Sequence, residues 1–498
     1  MHMKYYKNQL LTVSIEDMSS NGEGIGRYDG YTLFVKDAVI GDVVVAKLTG
    51  IRKNYAYARC EKLITPSPKR TRPFCDDHMR CGGCQIQSMS YEAQLKFKEN
   101  KVKNNLIRIG NVSRETIESV FEPIIGMNDP VRYRNKSQYP VGCDRDGNPT
   151  AGFYALRTHS IIPCNDCKLA PAENAHILEV ILSHMKEHDI KPYDEKTLLG
   201  TIRHVLIRKG FATGQLMVCL VIKHDLDKRK KLDRDEAKDM EFIPGQAELV
   251  NKLQSIPGMT SVCVSINNDN TNVIMGNRIY TLWGDGVITD TILGKTFEIS
   301  PLSFFQVNPV QVEKLYRTAT EYAGLSGREE VWDICCGIGT ITICMSEYAK
   351  QVYGIEVVPE AIEDAKRNAV LNNAGNVSFI CAAAEDYLKD HADEIKADVV
   401  ILDPPRKGMD EAALSAISDI SPGRIVYISC DSATLARDIK YLTDRGYVLQ
   451  KAKCIDMFPH TVHTETCCLL ERLRNAKDYI PLKLDMEDYY KIKDGKKL

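Results

Sequence analysis

The stretch Glu329-Glu330-Val331-Trp332-Asp333-Ile334-Cys335-Cys336-Gly337-Ile338-Gly339-Thr340 decides the fold. A strand-like apolar run closes on an acidic residue, turns through two glycines and enters Ile341-Thr342-Ile343-Cys344-Met345, which reads as a helix. Glycine suits the turn because a backbone without Cβ bends sharply and lets a ligand approach the main chain. The next apolar run, Gln351-Val352-Tyr353-Gly354-Ile355, ends in Glu356. A carboxylate roughly 20 residues beyond such a turn is placed to take the two hydroxyls of a ribose. The pattern is the adenosine-binding half of a doubly wound α/β sheet. A dinucleotide-binding turn asks for a third glycine in G-x-G-x-x-G, and Thr342 stands there.

Further along, Ala397-Asp398-Val399-Val400-Ile401-Leu402 reads as a third strand and ends in Asp403-Pro404-Pro405-Arg406. Consecutive prolines stiffen the chain and fix the direction of the residue before them. A fourth run, Ile425-Val426-Tyr427-Ile428, passes through Ser429 to Cys430 and Asp431. This is a buried parallel strand with Cys430 at its carboxyl end, the edge of an open α/β sheet where ligands sit. On its own Cys430 reads equally as a small core hydrophobe, and Glu465 as a solvated carboxylate.

The Asp333-x-x-x-Gly337-x-Gly339 form, with Glu356 ending the next strand, resembles the S-adenosylmethionine (SAM) methyltransferases. An Asp-Pro-Pro-aromatic signature marks those acting on exocyclic amino groups. Arg406 stands at the aromatic position here and argues against stacking an amine-bearing base in that way. Five motifs come in the order found in RNA (uracil-5-)-methyltransferases: Ser300-Pro301-Leu302-Ser303-Phe304-Phe305-Gln306-Val307-Asn308-Pro309, the Asp333–Gly339 turn, Asp403-Pro404-Pro405-Arg406, Ser429-Cys430-Asp431, and His460-Thr461-Val462-His463-Thr464-Glu465-Thr466. The resemblance runs from about residue 8 to about residue 472.

It implies methylation of uracil C5. C5 is a poor nucleophile, so a thiolate first adds at C6 and the displaced electrons let C5 attack the methyl group of SAM. A base then removes the C5 proton and the thiolate leaves. The resemblance assigns the addition to Cys430 and the proton removal to Glu465. It makes Gln306, Glu356 and Asp403 polar contacts to SAM, with Gly337 and Gly339 in the turn and Cys335 a main-chain or packing contact beside them. An aromatic often stands at the Cys335 position in the family.

The 498 residues exceed what one hydrophobic core holds, so two to four domains are expected. The reading divides them into an amino-terminal barrel (1–65), a central α+β domain carrying a cysteine cluster (66–299) and a methyltransferase domain (300–498). Net charge is −2, from 65 Lys and Arg against 67 Asp and Glu, which by itself does not point to nucleic acid. No apolar run reaches about 18 residues, and the amino terminus lacks a signal peptide's layout. A cytoplasmic location without a membrane partner is expected. Seventeen cysteines, an odd number, point to reduced thiols and a metal site rather than a disulfide framework.

Residues 8 to about 65 are short alternating runs punctuated by glycine, with Asp29-Gly30 between Asn21-Gly22-Glu23-Gly24-Ile25-Gly26-Arg27 and Tyr31-Thr32-Leu33-Phe34-Val35. An Asp-Gly pair between such runs signals a hairpin, and strands at this spacing suggest a small barrel. It resembles a TRAM domain, an OB-like RNA-binding barrel. Arg52, Lys53, Arg59, Lys62, Lys69, Arg70 and Arg72, interleaved with Tyr55 and Tyr57, suit phosphates and stacked bases; a solvated basic edge is the plainer reading.

Cys75, Cys81 and Cys84 then stand close together, and Cys164 and Cys167 follow much later. Thiolates at this density suit zinc or an iron–sulfur cluster. Two Cys-x-x-Cys pairs satisfy a zinc ribbon, whereas C-x5-C-G-G-C resembles the cluster-bearing branch of the family. In that family the last ligand follows a Phe-Tyr…His…Ile-Ile segment, here Phe153-Tyr154…His159-Ser160-Ile161-Ile162, so the resemblance implies Cys167 as fourth ligand of a 4Fe-4S cluster, with Cys164 a close second. Tyr91 to Ile109 reads as an amphipathic helix whose outer face carries Lys96, Lys98, Lys101 and Lys103. Arg132-Tyr133-Arg134-Asn135-Lys136 resembles a segment facing RNA. Residues 225–242 read as a solvated insertion, and the chain after about Arg474 as a polar, lysine-rich appendage.

The barrel plus four cysteines resembles the branch acting on 23S rRNA; the branch acting on tRNA typically lacks both. A flipped loop uridine is the expected target, with no obligate protein partner and a monomeric state. Two other classes remain: a radical SAM enzyme, against which the C-x5-C-x2-C spacing argues, and a non-catalytic ribosome-assembly factor, against which Cys430 and Glu465 weigh.

Overall fold

The computed structural model describes residues 5–156, 158–164, 166–226 and 232–473. The carboxyl-terminal appendage from Arg474 and residues 227–231 of the charged insertion lie outside the described residues. Five strands, Leu10–Met18, Gly24–Tyr28, Tyr31–Lys36, Val43–Ile51 and Tyr55–Thr65, close into a barrel. Alternate residues point inward, so Leu11, Val13, Ile15, Leu33, Val35, Val44, Leu48 and Ala56 form its core. Asp29 and Gly30 both take positive φ, at 47° and 78°, between the paired Tyr28 and Tyr31. That is the two-residue turn whose twist matches the flanking strands. The barrel docks through Val39, which packs with Ile86, Met89 and Val462.

The central sheet has seven strands, in the order Arg278–Gly284, Met259–Ile266, Leu216–Ile222, Ile202–Lys209, Lys136–Cys143, Pro149–Tyr154, Ile161–Pro163. Leu216–Ile222, an interior strand, is buried at every position. Helices Glu173–Glu187 and Gln246–Gln254 cover one face, sealing Ile177, Ile181, Leu249 and Leu253 against Val205, Val218 and Val262.

The third sheet runs Val377–Cys381, Gln351–Glu356, Glu330–Ile334, Val399–Leu402, Arg424–Ser429, Glu465–Arg472, Tyr447–Ile455, Phe121–Ile125. The first five strands are parallel. Helices Pro309–Ala323, Thr340–Met345 and Pro359–Leu371 pack on one face, and Tyr91–Arg108, Glu411–Ile420 and Ser432–Thr443 on the other. The winding direction reverses between Glu330–Ile334 and Val399–Leu402, the switch point where doubly wound sheets bind ligands. Among the described residues no helix is long and apolar enough to cross a membrane.

Three expectations change. Residues 66–299 do not form one self-contained unit, because Phe121–Ile125 is the edge strand of the third sheet, parallel to Tyr447–Ile455. The helix Tyr91–Arg108 exists, yet Lys98 is not on its outer face: it is completely buried against Asp456. Finally, Arg132 adopts φ 54° and is held by Asp166 and by the carbonyls of Cys167 and Ala170, while Tyr133 and Asn135 are buried. That segment braces the cysteine loop.

Candidate active site

At the switch point the carboxyl ends of the strands open on a cavity of about 720 Å3. Gln306, Cys335, Gly337, Glu356, Asp403, Cys430 and Glu465 all line it. The turn that begins it depends on backbone freedom: Cys335, Gly337 and Gly339 take φ 68°, 55° and 80°. Gly339 is not on the cavity wall. A Cβ there would sit 2.9 Å from the Phe379 ring, so its absence lets the turn pack on the edge strand Val377–Cys381.

Glu356 is pinned by donors on both oxygens: Oε1 accepts the N–H groups of Val357 and Val358 at 2.9 and 3.0 Å, and Oε2 that of Gly337 at 3.2 Å. Asp333, buried beneath, accepts the Thr342 hydroxyl at 2.5 Å on Oδ2, while its Oδ1 has no partner. Burial lifts Asp333 to about 6, and Asp403 to about 7 with the Asp333 charge adding to it. Burial and then Asp403 hold Glu465 well above the usual carboxylate range, and its Oε2 is buried without a partner. This row of acids among apolar walls suits a cationic, adenosine-bearing sulfonium such as SAM.

Strand pairing brings Cys430 and Glu465 together. Arg424–Ser429 runs antiparallel to Glu465–Arg472, with Ser429 opposite Thr466. One more residue along that register sets Cys430 across from Glu465, on the same side of the sheet. Asp431 caps the following helix by accepting the N–H groups of Ala433 and Thr434. Burial pushes the Cys430 thiol up to about 12, Glu465 adds to this, and Arg406 opposes it. Arg406 also opposes the lift on Glu465 and lines the cavity together with Lys407, so it brings positive charge to the acids of the site. The sequence reading noted Arg406 only as a departure from an aromatic; its place directly after the paired prolines was the available signal.

The loop before Glu465 is clamped from Tyr91–Arg108. Lys98 Nζ donates to Asp456 Oδ1 at 2.5 Å and to the Phe458 carbonyl at 2.9 Å, and the Tyr91 hydroxyl donates to Asp456 Oδ2 at 2.9 Å. Gln94 accepts the His460 N–H at 2.9 Å, where φ is 67°.

The cysteine loop lies apart from this cavity. Cys81 pairs with Ala155 across a β-bridge, and Cys84 and Cys167 pack on Met127, Tyr133 and Leu169. Cys75, Cys81, Cys84, Cys164 and Cys167 are close enough to perturb one another's ionisation, and none is in a disulfide. Burial pushes Cys84 up to about 12, whereas the Cys164 thiol, donating to Cys167, holds Cys167 down, aided by the N–H groups of Leu169 and Ala170. Such a set of converging thiols fits a soft metal centre.

Residues 294–473 match the family model for tRNA (Uracil-5-)-methyltransferase, and residues 4–60 match the TRAM domain. A Clostridium tetani protein named an uncharacterized RNA methyltransferase is 42% identical over 466 residues, covering 93% of this chain and 96% of its own. One from Halalkalibacterium halodurans is 42% identical over 467 residues, covering 93% and 97%. Among solved structures, the Pyrococcus abyssi tRNA (uracil-54, C5)-methyltransferase in complex with S-adenosyl-L-homocysteine matches with a TM-score of 0.69 and 25% identity, covering 92% of this chain and 99% of that one. The chain therefore belongs to the RNA (uracil-5-)-methyltransferase family and is a SAM-dependent RNA methyltransferase with an amino-terminal TRAM domain.

Proposed function

We propose that the protein methylates C5 of a uridine in 23S rRNA, with Cys430 as nucleophile and Glu465 as base. The observation that carries the reading is the register that faces Cys430 with Glu465 on the wall of the cavity that Asp403, Glu356 and Gln306 also line. The Cys430 thiol loses its proton to solvent beside Arg406, and the thiolate sulfur forms a bond to C6, sending the C5=C6 electrons toward the O4 carbonyl. The enolate electrons return through C5 to form the C5–CH3 bond with the methyl group that SAM would supply, whose bond to sulfur breaks to release S-adenosylhomocysteine. C5 then carries both the new methyl group and its proton. Glu465 then takes the C5 proton; the C5–H electrons restore C5=C6 and the C6–S bond breaks, returning the thiolate. A buried carboxyl with an unpartnered oxygen suits this step, because a weakly solvated carboxylate is a stronger base. Gln306, Glu356, Asp403, Gly337 and the main chain at Cys335 hold the donor, with Gly339 shaping the turn.

Cys75, Cys81, Cys84 and Cys167 are proposed to hold a 4Fe-4S cluster. Cys167 is favoured over Cys164 because it accepts the Cys164 thiol and two backbone N–H groups. The cluster would brace the central sheet against the RNA-facing loops, since methyl transfer exchanges no electrons. Reduced thiols throughout support a cytoplasmic location, and a monomer is the working assembly.

The barrel together with the cysteine loop supports 23S rRNA. The likeness to a tRNA (uracil-54, C5)-methyltransferase favours a second reading, tRNA. Incubation with labelled SAM and unmodified 23S rRNA or tRNA transcripts, followed by mapping of 5-methyluridine, separates them. Label at one or two 23S uridines is expected; label in tRNA alone overturns the substrate, and label in neither overturns the reaction.

A further inference from the structure

A second constellation of metal-ligating side chains lies on the helical layer over the central sheet, among residues with no part in methyl transfer. The last turn of Glu173–Glu187 and the residue after it present His184, Glu187 and His188, spaced three and four apart so that they share one face. Helix Gln246–Gln254 brings Glu248 against them. One ligand atom from each of the four lies within 4.8 Å of all the others. The two imidazole rings are 4.2 Å apart between centroids, and His188 Nε2 is 3.1 Å from Glu248 Oε2.

His184 supplies the observation that points to a ligand. It is completely buried, with Nε2 3.0 Å from the Pro244 carbonyl oxygen. A carbonyl only accepts, so the neutral ring carries its proton on Nε2 and leaves a lone pair on Nδ1. That Nδ1 is buried without a hydrogen-bond partner. A backbone carbonyl that fixes one ring nitrogen while the other is free is the outer-shell arrangement of metal-bound histidine. The site also lies at the carboxyl end of a 15-residue helix, the end that attracts a cation.

We propose that His184, Glu187, His188 and Glu248 form a binding site for a divalent ion of the zinc class, which staples the two helices over the central sheet. Two imidazoles and two carboxylates make a nitrogen–oxygen set: too rich in nitrogen for magnesium or calcium, and without the thiolates of the cysteine loop. Zinc at about 2.1 Å from each donor in a tetrahedron spaces donors about 3.4 Å apart. The His188–Glu248 pair already stands near that spacing, and the exposed side chains Glu187 and Glu248 have room to close the rest. Lys252 spans the carboxylates, 2.8 Å from Glu248 Oε1 and 2.7 Å from Glu187 Oε2. Glu248 thus offers one oxygen to the lysine and the other to the histidine side.

The test is titration of the full-length, chelator-treated protein with Co2+, read by visible absorption, and then displacement by Zn2+. Nitrogen–oxygen ligation gives weak visible bands, whereas the cysteine loop would add intense sulfur-to-cobalt absorption, so the two sites are told apart in one spectrum. The expected result is one equivalent that contributes weak bands, lost or weakened by more than about 100-fold in His188→Gln and Glu248→Gln, with any sulfur-derived absorption the same in all three proteins. Zn2+ should also raise the melting temperature of the wild-type protein and not that of either variant. If His188→Gln does not fold, the exposed Glu248→Gln decides. No nitrogen–oxygen equivalent in the wild-type protein, or equal binding by wild type and Glu248→Gln, would overturn the proposal.

Discussion

Replacing Lys98 with methionine removes one partner of an ion pair in which both side chains are 0% exposed. Burial lowers the Lys98 pKa, and Asp456 is the chief group opposing that, so the ammonium persists because of its carboxylate. In Lys98→Met, Asp456 stays buried with only the Tyr91 hydroxyl as side-chain donor. Breaking a buried pair on one side costs about 3–5 kcal/mol. At about 2–4 °C per kcal/mol for a unit of this size, the catalytic sheet should melt roughly 6–20 °C lower. Replacing both partners, as in Lys98→Met/Asp456→Leu, removes the stranded charge and should recover most of that loss. Tryptophan fluorescence during thermal unfolding reads the effect, since Trp332 is buried in the catalytic sheet. Methylation should fall in the single variant even below its melting point, because Lys98 also holds the Phe458 carbonyl in the loop leading to Glu465. A single variant melting within 2 °C of wild type, or a double variant no more stable than the single, would refute the reasoning.

Cys430→Ala should abolish transfer of labelled methyl groups, while Glu465→Gln should add to RNA and release it slowly. A complex that persists in denaturing gels is expected for Glu465→Gln and not for Cys430→Ala; normal turnover in Glu465→Gln would remove it from the base role. With its thiol pushed up to about 12, Cys430 in the free enzyme has about a 1,000-fold smaller thiolate fraction at pH 8 than a thiol at 9. Its iodoacetamide labelling, followed by peptide mapping, should rise about tenfold per pH unit from 7 to 10, and a plateau near pH 9 would contradict the buried environment. Cys84→Ser should lose iron and visible absorption from anaerobically purified protein, whereas Cys164→Ser should keep both; the reverse pattern at Cys164 and Cys167 would exchange the fourth ligand.

The Asp333–Gly339 turn was legible because its backbone needs positive φ and a missing Cβ, which only glycine supplies freely. The barrel was legible from alternation and from Asp29-Gly30. What escaped was set by partners distant in sequence. Lys98 sits in a run of lysines of which Lys96 is exposed and Lys101 reaches the Ser20 and Val462 carbonyls, and nothing near it announces Asp456, 358 residues away. Phe121–Ile125 carries no mark of the sheet it joins, since a five-residue strand has too few positions to specify a partner. Arg132 looks like an RNA contact until Asp166 and two carbonyls are seen to use its donors. The facing of Cys430 and Glu465 follows from strand register, which composition does not encode.

The edge strand Phe121–Ile125 also sets an order of assembly. Tyr91 meets Asp456 across 365 residues. At roughly 5–20 residues per second of synthesis, the emerging helix and its strand wait about 20–70 s for the segment they clamp. During that delay Lys98 must remain hydrated, and the strand is an unpaired edge exposed to other nascent chains. Glu122 and Pro123 within it provide a charge and a missing N–H, two devices that discourage such pairing. The active site is thus completed only when translation reaches the loop that ends at Glu465, so a chain cut short before it lacks the base that finishes methylation.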